Sequence, residues 1–387
     1  VLGSATPDTS SLYRTMQKES VLLRLNKRAN SSTLPEIEVI DLREELSKKN
    51  KSMLSEKLQE AIKENLENKK QTILFLNWRG FSTFVMCRDC GYTAKCKNCD
   101  ITLTYHKSAN KLKCHYCGYE TNVINKCPDC KSENIRYFGT GTQKLEAEIN
   151  KLYPEAKTIR MDVDTVTKKN SHEKILTDFK ENKADILIGT QMVVKGHHFP
   201  NVTLVGVIAA DGSLNMNDYR ANEITFQILT QVAGRAGRGK DAGKVIIQTY
   251  NPDSFAIECV KTQNEEMFYN TEMRLRKQLK YPPFCDIIVI GVSSKEEQIT
   301  IKVIQSLHKY LKNRVENENI GIMLYKALPA PIDKIKNKYR WRILIKCKFG
   351  EDIIDLINDT LQKAQTIKYC KNGDANISID VNPTNMV

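Results

Sequence analysis

The sequence has no run of apolar residues that approaches the roughly 18 residues needed to cross a membrane, which argues against a membrane-spanning helix. It also has no low-complexity tract. Hydrophobic residues make up 41% of the chain and charged residues 27%, values that are ordinary for a globular protein. The length of 387 residues predicts two or three domains, because a single hydrophobic core rarely grows that large.

Two signatures of a self-contained ATPase are also missing. The chain has no G-x-x-x-x-G-K-[ST] loop, which cradles phosphates with its backbone amides, and no Asp-Glu-x-His box, which holds magnesium. The segment Gly237-Arg-Gly-Lys240 lacks both the spacing and the following hydroxyl. We therefore expect that this chain does not hydrolyse ATP by itself.

Acidic residues are too few to balance the basic ones, which leaves a net charge of +13. An excess of this size favours an anionic partner, most simply nucleic acid. The densest basic run, residues 326–348, contains eight Lys and Arg against the single acid Asp333, with Tyr339 and Trp341 between them. Such a run is typical of a surface that binds nucleic acid or an acidic peptide. The alternative is a solvent-exposed face with no binding role.

Eight of the 12 cysteines form four Cys-x-x-Cys pairs within 44 residues. Eight ligands in four such knuckles are what two tetrahedral zinc ions require. A disulfide framework is the alternative, but a long chain without an apolar leader and with four further scattered cysteines indicates a reducing cytosol. The predicted ligand pairs are Cys87/Cys90, Cys96/Cys99, Cys114/Cys117 and Cys127/Cys130.

The spacers between the pairs bear on which pairs share a metal. Five, fourteen and nine residues separate successive pairs, and the longest spacer leaves most room for a hairpin. This favours the second pair with the third and the first with the fourth, although sequential pairing remains open. Two four-thiolate zinc centres would cancel the segment's net +4, so the predicted module is nearly neutral.

The periodicity of the remaining chain predicts a parallel α/β organisation around this segment, followed by a smaller domain. Helices are predicted at 52–70, 142–152 and 171–183, and continuous apolar strands at 72–77, 185–188, 203–209 and 244–250. Beyond Pro283 the predicted order is βαββαβ, which is typical of a ferredoxin-like domain. The four single cysteines are expected to be small buried residues: Cys259, Cys285, Cys347 and Cys370.

The segment Gln231-Val-Ala-Gly-Arg-Ala-Gly-Arg238 carries the strongest indication of phosphate chemistry. If the helix that starts near Ala221 continues through it, Gln231, Arg235 and Arg238 share one face and present two guanidinium groups to a triphosphate. Gly234 and Gly237 leave the backbone bare enough for close approach. Surface salt bridging is the alternative for these arginines.

This segment resembles motif VI of the superfamily 2 helicases, and the combination with the cysteine spacing resembles the primosomal replication-restart helicases. The resemblance covers almost the whole chain, and it departs from the family pattern at Trp78, Asn217, Ile224 and Ala327–Ile332. The other matching segments are 1–7 (motif III), 76–81 (motif IV), 139–143 (the segment after the zinc insert) and 188–200 (motif V).

The resemblance implies an ATP-dependent 3′ to 5′ DNA helicase that recognises stalled or repaired replication forks and initiates primosome assembly. It implies nested ligation of two Zn²⁺ ions, and ATP with Mg²⁺ bound fully only when another lobe is present. The implied site residues are Gln231, Arg235 and Arg238 for catalysis; Ser4, Thr6, Gly189 and Gly234 for the nucleotide; and Thr142, Thr190, Gln191, Lys195, Lys338, Arg340 and Trp341 for DNA.

The expected architecture is a RecA-like helicase lobe 2 with an inserted two-zinc module, plus a C-terminal α+β domain with the ferredoxin-like order. Because the chain starts in motif III, we expect a C-terminal fragment. The expected parts are a remnant of lobe 1 at 1–20, lobe 2 at 21–86 and 132–262, the zinc insertion at 87–131, and a linker with the fork- and partner-binding domain at 263–387.

The expected partners are forked and single-stranded DNA, the acidic tail of single-stranded DNA-binding protein, other primosome proteins and the machinery that loads the replicative helicase. The resemblance implies a monomer in the bacterial cytoplasm, associated with the nucleoid and not with a membrane. The alternative is a non-catalytic zinc adapter that binds DNA or protein. A four-knuckle chaperone module is disfavoured because Cys90-Gly91 and Cys117-Gly118 lack its C-x-x-C-x-G-x-G repeat.

Overall fold

The computed structural model describes residues 1–25, 34–50, 52–76, 84–106, 109–137, 141–162, 165, 171–190, 199–237, 239 and 241–386. In chain order its elements are α1 (Thr9–Met16), β1 (Glu36–Asp41), α2 (Leu42–Ser47), α3 (Glu56–Glu67), β2 (Gln71–Phe75), β3 (Val85–Cys87), β4 (Thr104–His106), β5 (Lys111–Lys113), β6 (Glu120–Asn122), β7 (Ile135–Tyr137), α4 (Thr142–Leu152), β8 (Thr158–Met161), α5 (Ser171–Lys180), β9 (Ile186–Gly189), β10 (Val202–Val207), α6 (Asp211–Leu214), α7 (Ala221–Ala233), β11 (Lys244–Thr249), α8 (Phe255–Lys261), α9 (Glu265–Gln278), β12 (Asp286–Ser294), α10 (Glu297–Glu318), β13 (Met323–Leu324), β14 (Leu328–Ile335), β15 (Lys338–Cys347), α11 (Glu351–Thr366), α12 (Lys368–Lys371) and β16 (Ala375–Val381).

The chain divides into two compact units. Unit 1 contains residues 1–93, 124–216 and 220–271, and unit 2 contains residues 94–123, 217–219 and 272–387. The division passes through the segment that we predicted as one zinc insertion. The two outer cysteine pairs therefore belong to unit 1 and the two inner pairs to unit 2.

Unit 1 is built on a parallel sheet, which confirms the predicted α/β organisation. Among the described residues the sheet has six strands in the order β1-β11-β10-β2-β9-β8, and every neighbouring pair is parallel. All five residues of β2 are buried, because this strand lies between two neighbours and is covered on both faces. This is why Ile73, Leu74 and Phe75 follow one another without alternating polar residues.

Helix α3 illustrates how the sequence forms these elements. The helix starts after Ser55, whose hydroxyl accepts a hydrogen bond from the backbone N–H of Leu58 at 3.3 Å. Its apolar stripe, Leu58, Ala61 and Ile62, is buried against the sheet core. The predicted helix over 52–70 is longer at both ends than the observed one, because residues 52–54 form a bend ahead of the cap.

Unit 2 carries an antiparallel sheet in the order β13-β15-β12-β16, flanked by α10 and α11. This is the strand order of a ferredoxin-like domain, as the βαββαβ pattern predicted. The pattern missed β14, which also pairs with β15. Pro329 and Pro331 in β14 lack backbone N–H groups, and such residues in a sequence argue against a strand unless it lies at an edge.

Alternation along β15 separates its residues between two faces of the sheet. Trp341, Ile343 and Ile345 pack into the core shared with α10 and α11. Arg342 and Lys346 fall on the opposite face, since successive side chains in a strand point to opposite sides. None of the helices described in this structure is long and apolar enough to span a membrane.

Candidate metal centres and nucleotide-binding motifs

Four cysteines of unit 1 converge on one point: Cys87, Cys90, Cys127 and Cys130. Their sulfur atoms all lie within 4.8 Å of one another. Cys87 Sγ is 3.6 Å from Cys130 Sγ, and Cys90 Sγ is 3.5 Å from Cys127 Sγ. The antiparallel pair β3 and β7 brings the first and last knuckles together, because β3 ends at Cys87 and β7 starts shortly after Cys130.

The second centre lies in unit 2 and contains Cys96, Cys99, Cys114 and Cys117, whose sulfurs also lie within 4.8 Å of one another. Strands β4 and β5 form an antiparallel pair within the long spacer, as the spacer argument anticipated. The amide of Asn98 donates to Cys117 Sγ at 3.6 Å, and the backbone N–H of Tyr116 donates to Cys114 Sγ at 3.4 Å. The structure thus groups the pairs in the nested arrangement.

Glycines close two of the knuckles. Gly91 has φ of +77° and Gly118 has φ of +74°, a region that side chains with a Cβ rarely adopt. The backbone N–H of each donates to the carbonyl oxygen of the first cysteine of its knuckle, Cys87 or Cys114, at 2.9 Å. A Cβ on Gly91 would also meet the carbonyl oxygen of Tyr250 at 2.2 Å, so glycine is required there on two grounds.

Both centres fit zinc. Sulfurs around a tetrahedral zinc ion lie about 3.8 Å apart when the Zn–S bonds are about 2.3 Å, and the observed sulfur pairs are close to that separation. Two four-cysteine clusters are therefore consistent with two zinc ions. When bound, each ion would link two knuckles that lie apart in the sequence.

The thiols of the second centre depend on one another. Hydrogen bonds from Cys114 and Cys99 lower the pKa of Cys96 to about 2. The hydrogen bond with Cys96 contributes most to raising the pKa of Cys114, to about 12, and the pKa of Cys99 is raised chiefly by its contact with Cys114. Four thiols this close cannot all ionise without a cation, so a divalent ion that accepts thiolates is the natural occupant.

The helix at the Gln231–Arg238 segment ends earlier than predicted. α7 stops at Ala233, Gly234 caps it, and Arg235 lies in the turn that follows. Gly237 has φ of +67°, and a Cβ on it would lie 2.5 Å from the backbone nitrogen of Gly243. The helix therefore does not continue to Arg235, and the condition under which Gln231 and Arg235 would share a helical face is not met.

The motif III segment contacts α7 within unit 1. Gln231 Nε2 donates to Thr6 Oγ1 at 3.2 Å, and Gln227 Nε2 donates to the Thr6 carbonyl at 3.3 Å. Thr6 is buried, and its own backbone N–H donates to Ser4 Oγ at 3.0 Å. Three of the predicted residues, Ser4, Thr6 and Gln231, are thus joined by one chain of hydrogen bonds.

Other predicted residues lie at the carboxyl ends of the parallel strands. Gly189 ends β9, and the backbone N–H of Thr190 donates to the Met161 carbonyl at 3.4 Å, at the end of β8. Thr142 is the first residue of α4, and its hydroxyl donates to Asp162 Oδ2 at 2.5 Å. Ligands of parallel α/β sheets bind at this edge, so the position suits a functional role.

Several predicted residues lie outside the described part of the chain. They are Arg238, Gln191, Lys195 and most of the motif IV segment, residues 77–81.

The basic run of residues 326–348 forms the antiparallel pair β14 and β15. Lys338 and Arg340 are half-buried, and Arg340 Nη1 donates to the Ile332 carbonyl at 3.4 Å. Lys334 Nζ lies 4.5 Å from the centre of the Tyr339 ring. Trp341 packs against the core on the helix side of the sheet. The predicted contact of Trp341 with DNA stays a prediction.

Comparisons with known proteins agree with these features. The profile of the "PriA DNA helicase Cys-rich region (CRR) domain" matches residues 96–121, and that of the "Primosomal protein N C-terminal domain" matches residues 277–384. The "Helicase conserved C-terminal domain" matches residues 123–240. Replication restart protein PriA of Bacillus subtilis is 45% identical over 387 residues, which is 100% of this chain and 48% of that protein.

The chain belongs to the PriA family. The PriA proteins of Synechocystis sp. and Rickettsia felis are 40% and 37% identical, over 89% and 99% of this chain and 42% and 57% of their own lengths. The chain thus spans about half the length of the PriA proteins that it matches. Among solved structures, RecG bound to a three-way DNA junction aligns over 70% of this chain and 26% of its own at 11% identity, with a TM-score of 0.39 that is too low to support an inference.

Sequence reasoning missed one buried carboxylate beside the motif III segment of this PriA relative. Glu223 Oε1 accepts hydrogen bonds from the backbone N–H of Thr9 at 2.5 Å and from its hydroxyl at 2.9 Å. Glu223 is only 3% exposed although it lies in the first turn of α7. A glutamate among apolar residues of a helix was the available signal, but its partner lies 214 residues away and could not be found from the sequence.

Proposed function

We propose that this chain provides the second motor lobe, the zinc module and the C-terminal domain of an ATP-dependent 3′ to 5′ DNA helicase. The helicase would recognise stalled or repaired replication forks and initiate loading of the replicative helicase. The observation that carries this proposal is the hydrogen bond between Gln231 and Thr6, because it joins the residues that resemble motifs III and VI. A non-catalytic zinc adapter would not need this hydrogen bond.

Nucleotide would bind between this lobe and another that supplies the phosphate-cradling loop and the magnesium carboxylate. Gln231, Arg235 and Arg238 would face the triphosphate, where guanidinium groups stabilise the charge that develops during phosphoryl transfer. Ser4 and Thr6 would relay the state of the nucleotide to α7 through their hydrogen bonds. Gly189 and Gly234 would allow close approach of the backbone. ATP hydrolysis by the chain alone is not expected, because it lacks the G-x-x-x-x-G-K-[ST] loop.

DNA would contact two surfaces of the protein. Thr142 and Thr190, at the carboxyl edge of the unit 1 sheet, would contact the backbone of the tracked strand together with Gln191 and Lys195. In unit 2, Lys338 and Arg340 on the β14–β15 pair would contact phosphates of the fork. We further propose that unit 2 binds the acidic tail of single-stranded DNA-binding protein and that the whole protein assembles with other primosome proteins.

The test is ATP hydrolysis stimulated by forked DNA in the full-length protein, comparing the native sequence with Arg235→Ala and Arg238→Ala at equal zinc content. We expect turnover of each variant to fall at least about 100-fold while DNA binding is retained, because arginine fingers contribute several orders of magnitude. Arg274→Ala, which removes an exposed arginine of α9, is the control for the change in charge.

Unchanged turnover in Arg235→Ala and Arg238→Ala would contradict the proposal and leave the zinc adapter as the better description. Loss of turnover together with loss of DNA binding in both variants would mean that the arginines act on DNA and not on the nucleotide.

A further inference from the structure

Two cations are buried on the face of β15 that is turned away from α10 and α11. Arg342 is 7% exposed and Lys346 is 5% exposed. Neither makes an ion pair with a carboxylate within the described ranges of the chain. Burying an ammonium or guanidinium group without a counter-charge costs free energy of folding. We therefore expect a negatively charged group near these two side chains.

Lys346 is linked to the second cysteine centre through Tyr281. Its Nζ lies 3.5 Å from the centre of the Tyr281 ring and 3.2 Å from the carbonyl oxygen of Leu279, to which it donates. The hydroxyl of Tyr281 donates to the carbonyl of Cys99 at 2.9 Å. All of these residues belong to unit 2.

Arg342 contacts the same centre through the Cys114–Cys117 knuckle. Its Nη2 donates to the carbonyl of His115 at 3.3 Å, and His115 lies between Cys114 and Cys117 in the chain. Its Nη1 donates to the Met386 carbonyl, and its Nε has no hydrogen-bond acceptor among the described residues. The guanidinium is thus held by neutral carbonyls, and the buried carboxylate of Asp218 acts on its charge without an ion pair.

We propose that the zinc centre of Cys96, Cys99, Cys114 and Cys117 is the counter-charge of Lys346 and Arg342, with Tyr281 as the spacer. A zinc ion with four thiolates carries a formal charge of −2, which matches two buried cations. The centre attracts both cations through the poorly polarisable interior, where charges interact more strongly than in water. Burial lowers the pKa of both cations. Charges on Cys285 and Cys99 oppose this effect at Lys346, and charges on Tyr116, Asp218 and Cys114 oppose it at Arg342.

This inference goes beyond the proposed function, because it holds whether the protein is a helicase or an adapter. It assigns the two zinc centres different tasks. The second centre stabilises the C-terminal unit through charge, whereas the arginine that donates to the Cys90 carbonyl of the first centre, Arg43, already has Asp41 as its ion-pair partner.

The test is the rate at which zinc is released from each centre to a chelator in the zinc-loaded full chain. Timed alkylation with mass spectrometry of the cysteine peptides separates the two centres. We expect Lys346→Met to release zinc from the second centre about tenfold faster than the native chain, with no change at the first. Lys363→Met, an exposed lysine of α11, is the control for net charge and should match the native chain at both.

A second measurement separates charge from packing. The melting temperature is recorded with zinc bound and after zinc removal for the native chain and for Lys346→Met. Our proposal requires that the stabilisation by zinc, the difference between the two melting temperatures, is smaller in the variant. Equal lowering of both temperatures, or an unchanged rate of zinc release at the second centre, would overturn it and make Lys346 a packing residue only.

Discussion

At the scale of single residues, buried polar side chains of unit 1 hold the functional segments in place. Thr142 and Asp162 are the clearest pair, since both are buried and joined at 2.5 Å. Burial raises the pKa of Asp162, but hydrogen bonds from Thr142 and Thr165 and the charge of Arg160 outweigh it and leave the pKa below its usual value. The ionised carboxylate is thus part of the folded state.

Thr142→Val should destabilise the protein at neutral pH by about 1–2 kcal/mol, because it removes a hydrogen bond to a charged group. A carboxylate with a lowered pKa contributes its stability above the unfolded-state pKa of about 3.9, and this contribution is lost as pH falls through the folded-state pKa. The difference in free energy of unfolding between the native chain and the variant, the stability gap, should therefore shrink below about pH 4.

Denaturant unfolding over a range of pH measures this gap. Thr262→Val, an exposed threonine whose hydroxyl bonds only within α8, serves as the control and should show a small gap that does not depend on pH. A gap for Thr142→Val that stays constant down to low pH would show that the hydroxyl does not act on Asp162.

At the scale of elements, the end of α7 decides where the motif VI residues lie. The helix stops at Ala233 although no proline interrupts it, because Gly234 caps it and Gly237 turns the chain. The backbones of Gly237 and Gly243 are so close that neither has room for a side chain. A pattern of glycines and arginines does not by itself distinguish a continued helix from such a turn.

The pair Gly237→Ala and Gly234→Ala tests this turn. Gly237→Ala should lower the free energy of unfolding by about 2 kcal/mol or more, since it combines a positive φ with a contact at 2.5 Å. Gly234 has φ of −64° and its nearest atoms to a new Cβ lie 3.5 Å away, so Gly234→Ala should be within about 1 kcal/mol of the native chain. Similar effects of both substitutions on thermal unfolding would contradict the observed end of the helix.

At the scale of the whole molecule, the two zinc centres belong to different units although the ligands of one are nested between those of the other along 44 residues. Replacing one ligand of each centre should therefore affect different parts of the chain. Cys130→Ser should expose unit 1 to limited proteolysis first, and Cys117→Ser should expose unit 2 first, because each variant lacks the metal that links its knuckles. Mass spectrometry of the earliest fragments provides the measurement. Identical fragments from both variants would mean that the two centres stabilise one cooperative body.

The proposed DNA binding also concerns the whole molecule, because we expect it to depend on the distribution of the net charge of +13. Replacing both Lys338 and Arg340 by alanine should weaken binding of forked DNA similarly for all sequences. The slope of log affinity against log salt concentration should fall by about 1 for each phosphate that the protein no longer neutralises. Lys309→Ala and Lys312→Ala together, on α10, provide the charge-matched control. An unchanged slope would exclude the β14–β15 pair from the DNA-binding surface.

The sequence by itself determined the parts of this protein that depend on local spacing. Knuckle spacing identified the zinc ligands, and apolar runs identified the buried parallel strands, because metal geometry and strand burial impose their patterns on neighbouring residues. The same holds for the strand order of the C-terminal domain, apart from the proline-containing β14.

Only the tertiary structure decided which distant residues meet. It ended α7 at Ala233, brought Glu223 to Thr9 across 214 residues, and placed Arg342 and Lys346 beside a zinc centre that the chain forms more than 200 residues earlier. It also packed the Trp341 side chain against the core of unit 2. These outcomes depend on which faces pack together and on which charges are removed from water. Neither can be inferred from a pattern of residues that are neighbours in the sequence.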